Sequence, residues 1–341
     1  MTLPTRRRDL IRGLVAAAVS PLATPLERAV SALPFAGPPP RLGSGPSRAV
    51  VAVGRRDGIC PVPGGRVNEA KLEEALGAAV ARAVGEADPV SAFRRLFRPG
   101  DVVGIKVNCL GGRGLSSRPE AAVQLGRWLV AAGVQADRIV IWDRSSRELK
   151  GCGFAVGSGA AVKVVKVVGT DGDWEPKVRE WGPSASRFSR LLAEDLTAVI
   201  NLAVLKDHGL AGVSAGLKNW YGVVHNPNKL HEEGCNPFVP HLAAFPLVRD
   251  KLRLTVVDGT TGQYHNGPGY APSWAWPYQG FLVSTDAVAA DAVAWKVIEE
   301  KRKEKGLKTL AAEGREPKAI GTAGRLGLGI CDLAKIETVP V

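Results

Sequence analysis

The chain has 341 residues, a net charge of +12, 45% hydrophobic and 23% charged residues, and 40 glycines with 24 prolines that imply many ordered turns. This composition excludes a low-complexity or disordered chain and leaves room for one large or two modest domains. The lysines and arginines are scattered without interleaved aromatics, which argues against nucleic acid and for a small anionic substrate or an anionic envelope surface. The five cysteines, Cys60, Cys109, Cys152, Cys235 and Cys331, contain no CxxC pair, so no self-contained iron–sulfur cluster or structural zinc ribbon is expected. A disulfide stays open, with its connectivity unread.

The chain begins with Thr5-Arg6-Arg7-Arg8-Asp9-Leu10-Ile11-Arg12 and then an apolar run from Gly13 to Leu22. A paired arginine ahead of a modest apolar run reads as a twin-arginine export signal. The run is shorter than the roughly twenty apolar residues a spanning helix needs. Pro21, Pro25, Pro34 and Pro38 to Pro40 also break the alternative, a basic amphipathic helix belonging to the fold. Residues 1–40 are therefore expected to be signal and linker, and their removal brings the charge to about +9. The remainder, 41–341, is expected to be a soluble, periplasmic or otherwise extracytoplasmic unit with the translocase as one partner. That route carries folded proteins, many of them loaded with a cofactor.

From there the pattern alternates. Ala49 to Val53 is a short apolar run, Val67 to Val84 has helical spacing, and Asp101 to Asn108 reads as a buried strand. Pro119 to Ala132 reads as a helix with proline in its first turn, followed by a strand at Arg138 to Trp142. A strand at Ala161 to Val168, a helix near Ser186 to Leu192, and strands at Thr197 to Leu202 and Leu252 to Val257 come next. A strong final helix runs from about Thr285 to Lys303. Such alternation implies an α/β fold, a layered and mainly parallel sheet with flanking helices. Two lobes are an option, with a boundary near 145–195. Ligand sites in these sheets lie at the carboxyl ends of strands, where Lys106, Asn108, Asp143, the stretch Asn201 to His208, and Asp258 are expected.

All five histidines fall between His208 and His265. The densest stretch, Lys206 to His225, continues through Asn226, Asn228, Lys229, His231 and Cys235. Donors, acceptors and candidate ligands are interspersed there with glycines that let a backbone approach a ligand. Chance clustering of core and surface histidines is the plain alternative. No GxGxxG or Walker pattern lies between a strand and a helix, so a nucleotide site is not supported. Gly111-Gly112-Arg113-Gly114 fits an anion-cradling loop or a flexible turn equally well. The aromatic stretch from Gln263 to Tyr278 suits a lid or pocket wall, or a packed satellite of the core. Asp286 and Asp291 open the last helix; capping explains Asp286 better than Asp291.

GIKVN at 104–108, VINLAVLKDH at 199–208, LKN at 217–219, Val256-Val257-Asp258 and the run Ser284 to Val293 together resemble an uncharacterised family catalogued as domain of unknown function 362. The resemblance spans about 100 to 335. Members often carry export signals, and some append ferredoxin-like cysteine clusters that this chain lacks.

A second, local resemblance carries chemistry. His208-x-x-Ala211-Gly212-Val213-Ser214-x-Gly216-x-Lys218 is similar to a segment of nickel-pincer lactate racemases, and Ser117-Arg118-Pro119 is similar to their substrate-binding turn. The resemblance implies that Lys218 tethers a pyridinium-derived nickel cofactor, that His208 is an acid/base, and that Arg118 holds a substrate carboxylate. A later histidine, His225 or His231, would ligate the metal. Asp143-Arg144 stands where those enzymes have a second acid/base histidine, which makes Asp143 a catalytic candidate.

From the residues alone, Lys218 between Leu217 and Trp220 is expected to be partly desolvated and hence nucleophilic. An anion anchor or a surface lysine is the alternative. A distant carboxylate, Asp143 or Asp258, is expected to orient His208. Lys106, Asn108, Lys206, Asn219 and Arg118 form the expected substrate-binding set. The combined expectation is an exported metal- or metallocofactor-dependent enzyme, racemase- or oxidoreductase-like, moving a proton or hydride on a small anionic organic substrate. A redox protein is a further candidate partner. The competing class is a non-enzymatic envelope protein that binds a metal ion or an anionic ligand.

Overall fold

The computed structural model describes residues 48–157 and 165–341. The expected export segment, residues 1–40, and residues 161–164 of the expected strand at 161–168 lie outside them. Strand β1 (Ala49–Arg55) leads to helix α1 (Glu69–Val84), which starts where the Asn68 side chain accepts the Lys71 N–H and stops at Gly85, whose φ of 79° suits glycine. Helix α2 (Pro89–Leu96) is capped by Asp88. Then β2 (Val103–Lys106), α3 (Pro119–Ala131), β3 (Ile139–Asp143), α4 (Ser146–Gly151) and β4 (Lys166–Gly169) alternate. A separate hairpin of β5 (Arg179–Trp181) and β6 (Ser184–Ser186) precedes the long β7 (Ala198–His208) and short β8 (Gly212–Ser214). Helices α5 (Gly216–Asn219), α6 (Phe238–Ala244) and α7 (Pro246–Arg249) follow. Next come β9 (Leu252–Gln263), β10 (Ala275–Trp276) and β11 (Gly280–Ser284). The chain closes with α8 (Ala287–Glu304), α9 (Lys318–Arg325) and β12 (Ile336–Pro340).

Among the described residues these strands form one 10-stranded sheet in the order β12-β1-β11-β9-β7-β2-β3-β4, with β10 on β9 and β8 on β7. The block β9-β7-β2-β3-β4 is parallel throughout, and β11 runs antiparallel to both of its neighbours. The protein is thus an α/β fold with a mostly parallel sheet. Side chains alternate between the two faces and build two cores. Ile139, Ile141, Ile105 and Val256 face α1, α2 and α3, while Val140, Trp142, Val199 and Val257 face α6, α8 and α9. Covering both faces explains why β7 is buried along its whole length and reads as a near-continuous apolar run. Among the described residues no helix is long and apolar enough to cross a membrane.

One expected element is replaced. The helix near Ser186 to Leu192 is extended in its first half, and only Leu191–Asp195 winds into a helical turn. The backbone of 188 and 189 is satisfied sideways, with Phe188 O accepting from Glu175 N and Ser189 N donating to Val223 O, so helical bonding starts only at Ser189 O, which accepts from Ala193 N. In the interval where a lobe boundary was an option, β4 still pairs with β3 in the main sheet.

Candidate functional site

Strands β2 and β3 end side by side against β7, which runs on to His208, and their register sets Lys106 level with Trp142 and Asn201. Beyond those ends lies a cleft of about 320 Å³ whose walls include Lys106, Asn108, Asp143, His208, Lys218 and His231. Lys106 is buried at its base. Its Nζ donates to Asp143 Oδ1 at 2.6 Å, to Val107 O at 2.6 Å and to Asn219 Oδ1 at 3.3 Å. Asp143 also accepts the Cys109 and Arg144 N–H groups, at 2.7 and 2.8 Å. The pair leaves no room above it: a Cβ on Gly222 would lie 2.7 Å from Lys106 Nζ and 3.1 Å from Asp143 Oδ1.

A chain of amides ties β7 and the segment after β2 to α5. Asn219 Oδ1 accepts from Asn108 Nδ2 at 3.0 Å, Asn219 Nδ2 donates to Asn201 Oδ1 at 2.7 Å, and Asn201 Nδ2 donates to Gly216 O at 2.8 Å. Lys206 stands behind this layer rather than in the cleft, donating to Asn108 Oδ1 at 2.9 Å. Burial pushes its amine down to about 8.

Helix α5, only four residues long, is held at its start by Asp291, whose carboxylate accepts the Gly216 and Leu217 N–H groups at 2.7 and 3.0 Å. Burial raises this carboxyl to about 7. The anchoring points Lys218 into the cleft. Its Nζ sits 3.3 Å from the centre of the Tyr221 ring and 3.2 Å from His231 Nε2, with the Cys235 thiol alongside. The ring face and the thiol favour the charged amine, but loss of water outweighs them and brings Lys218 down to about 7. Glu233, Gly234 and Cys235 all have positive φ, the local turn that brings the thiol here.

The two histidines of the cleft are held in opposite senses. His231 Nδ1 faces Pro227 O at 2.9 Å, an acceptor only, so it is the donor nitrogen and Nε2 turns a lone pair toward Lys218. His208 Nδ1 accepts the Leu210 and Ala211 N–H groups, both at 3.2 Å, so its ring hydrogen is on Nε2. Burial, with Lys218 and His231 close by, pushes His208 down to about 3. The rings stack with centroids 5.9 Å apart.

Other expected residues lie elsewhere. The Arg118 guanidinium is buried away from the cleft, donating to Thr260 Oγ1 and Thr261 Oγ1 at 3.1 Å each and to Cys60 Sγ at 3.4 Å, so it cannot clamp a ligand there. His225 is exposed and rests edge-on against Trp174, with centroids 5.7 Å apart. Neither carboxylate expected to orient His208 does so: Asp143 pairs with Lys106, and Asp258 accepts the Arg118 and Thr260 N–H groups. Gly114 packs against the Tyr270 ring in an ordered turn. The aromatic stretch is mostly a packed satellite, Tyr264 contacting Trp274 and Trp276, with Pro268 reaching the cleft. The sequence reading placed Asn201 at a strand end without giving it a role, and it missed Gly222. The matched register of Lys106 and Asn201 on adjacent strands is the signal that could have given the first its role.

Among the described residues no three His, Cys, Asp or Glu side chains are grouped to hold a metal ion. The donors present therefore do not fit a metal held by protein alone. The unprotonated His231 Nε2 and the Lys218 amine beside it, 3.2 Å apart, are the two groups of the cleft that could hold a cofactor.

Fold and cleft together define a parallel-sheet α/β protein with a lysine- and histidine-bearing cavity at the carboxyl ends of its central strands. A family model described as "Domain of unknown function (DUF362)" matches residues 103–296, and the chain belongs to that family. No curated protein matches it. The crystal structure of a Thermotoga maritima protein, a structural genomics target, is similar with a TM-score of 0.42 and 13% identity over 69% of this chain. The match covers 59% of that protein's chain, less than two thirds of its length.

Proposed function

We propose that the protein is an exported enzyme that moves a proton or hydride on a small anionic organic substrate held in this cleft, with Lys218 as the residue that carries a covalently bound organic metallocofactor. The observation that carries the reading is Lys218 itself. Of the three lysines around the cleft, Lys106 is matched by a carboxylate and Lys206 by an amide oxygen, whereas Lys218 meets only an aromatic face, an imidazole and a thiol. An amine so placed is substantially neutral near pH 7, and a neutral amine is the nucleophile that acylation or condensation needs.

The surrounding groups divide the remaining work. His231 Nε2, whose tautomer is set by Pro227 O, is the one imidazole nitrogen free to meet a metal on that group. When bound, such a group supplies a centre that accepts and returns a hydride. His208 presents an N–H that is held neutral, which suits donation to a substrate oxygen. Asn108 and Asn219, joined to each other through their amides, shape the wall beside that oxygen, and Lys206 behind them keeps the wall electropositive. The similarity of 208–218 to nickel-pincer racemases, and the twin-arginine pattern at Arg7-Arg8, support the same reading. Arg118 is not part of it.

Intact mass and elemental content of the protein purified from its native host test the proposal. The wild type should carry an added mass on the peptide containing Lys218, together with a stoichiometric metal. Both should be missing from Lys218→Arg and Lys218→Ala, because a guanidinium keeps the charge but cannot serve as an amine nucleophile. An unmodified Lys218, with an arginine variant that binds small anions as the wild type does, overturns the reading in favour of a binding protein.

A further inference from the structure

The five cysteines are distributed so that two of them meet and three do not. Cys109 follows the cleft residue Asn108 at the end of β2, and Cys152 closes the carboxyl end of α4. Cys152 Sγ lies 3.4 Å from the Cys109 carbonyl oxygen, to which it donates. The other three are spent elsewhere. Cys60 donates to Val62 O at 3.1 Å beside Arg118, Cys235 sits with Lys218 and Tyr221, and Cys331 packs on Gly324.

We propose that Cys109 and Cys152 form an intramolecular disulfide that clamps the β2 loop to α4. The pair has no other chemistry at hand: among the described residues it belongs to no group of three metal-ligating side chains. A disulfide needs two sulfurs brought together by their backbones, and here one sulfur is already within contact of the other residue's peptide group. The neighbouring Cys109 thiol draws Cys152 below its ordinary range while Cys152 and burial push Cys109 up, so Cys152 is the attacking sulfur and Cys109 must give up its proton in the second step. Both cysteines are buried, at 1% and 4% exposure, but Leu110, next to Cys109, is 61% exposed, so displacement of that surface loop gives an external disulfide its way in.

The reaction is thiol–disulfide exchange with an external disulfide, protein-borne or small. The Cys152 thiolate attacks one sulfur of that disulfide and releases the first thiol. The Cys109 thiolate then displaces the second, so the protein loses two hydrogens and two electrons and the oxidant becomes two thiols. The bond would join elements that hold much of one cleft wall. Cys109 N–H is bonded to Asp143, and α4 carries Glu148, which lines the same cavity. The separation of 43 residues between the two cysteines makes the cross-link a substantial restriction on the unfolded chain.

The test uses the full chain, reduced and then incubated with oxidised glutathione, alkylated, digested with trypsin and mapped without reduction. The expected result is one cross-linked pair joining peptide 107–113 to peptide 151–163, lost on reduction, with Cys60, Cys235 and Cys331 alkylated. Oxidised wild type should also unfold at a higher urea concentration than reduced wild type, while Cys152→Ser unfolds at the same concentration after either treatment. The proposal is overturned if Cys109 and Cys152 are both recovered alkylated, if they carry glutathione without a cross-link, if either is joined to another cysteine, or if oxidised and reduced wild type share one midpoint. The mapping needs no variant, and its outcome is independent of any group on Lys218.

Discussion

Replacing Asp143 by Asn isolates the ion pair at the base of the cleft. Lys106 and Asp143 are nearly devoid of solvent, with side-chain exposures of 1% and 6% and a separation of 2.6 Å. At that distance two unit charges in an effective dielectric of about 20 attract by about 6 kcal/mol, most of which offsets the cost of removing both from water. Taking away the carboxylate charge leaves Lys106 with only Val107 O and Asn219 Oδ1 as neutral acceptors. It also turns an amide N–H₂ toward Cys109 N–H or Arg144 N–H, because the aspartate accepts both backbone groups. A loss of about 3–5 kcal/mol follows, the range for a buried charge deprived of its partner. For a chain of this size that is a fall of about 6–10 °C in thermal midpoint. Lys106→Met in the same background should recover about 2 kcal/mol, because it removes the stranded charge. Urea and thermal unfolding of the wild type, both single variants and the double variant measure this directly. A loss below about 1 kcal/mol for Asp143→Asn, with no coupling to Lys106→Met, refutes the account of a charge-matched base.

Gly222→Ala should cost about 1–3 kcal/mol, because the added methyl meets Lys106 Nζ and Asp143 Oδ1 at 2.7 and 3.1 Å; unchanged unfolding midpoints would show that this segment shifts freely. Asp291 takes its proton more tightly in the folded chain, about 7 against 3.8, so its contribution is present below about pH 4 and is lost as pH rises to about 7. Asp291→Asn should remove that slope, on the order of 1.4 kcal/mol per pH step of one; equal slopes for wild type and variant between about pH 4 and 7 would contradict the burial argument. Replacing Arg7 and Arg8 by Lys should leave the precursor in the cytoplasm, which cell fractionation reads; normal export would remove the twin-arginine assignment.

The parallel core was legible because its strands are apolar on both faces and its helices carry their own punctuation, as at Asn68 and Gly85 around α1. The strand carrying Lys206 to His208 was read as ending at Leu202, since lysine, aspartate and histidine are poor signals of burial. They are buried because neighbours satisfy them: Asn108 holds Lys206, Arg315 holds Asp207 at 2.7 Å, and backbone N–H groups hold His208. Within the candidate site, types and order could be read, but facing could not. Arg118 and His225 sit in motif-like positions and point elsewhere, which depends on a helix start bonded to Asp258 and on an edge contact with Trp174. Strands β8, β11 and β12 went unread. β8 has only three residues, β11 is buried throughout and β12 is mostly exposed, so none of them shows the alternation that marks a strand.

The hydrogen bonds that shape the cleft reach far along the chain. Asn108 meets Asn219 across 111 residues, Lys206 meets Asn108 across 98, and Asp207 meets Arg315 across 108. Closing loops of that length carries an entropic cost before any contact offsets it, so such contacts form late and together. No fragment and no nascent stretch of this chain can therefore present the cavity, and a group destined for Lys218 would meet its lysine only on a finished molecule. Whatever loads such a group must recognise a surface rather than a sequence.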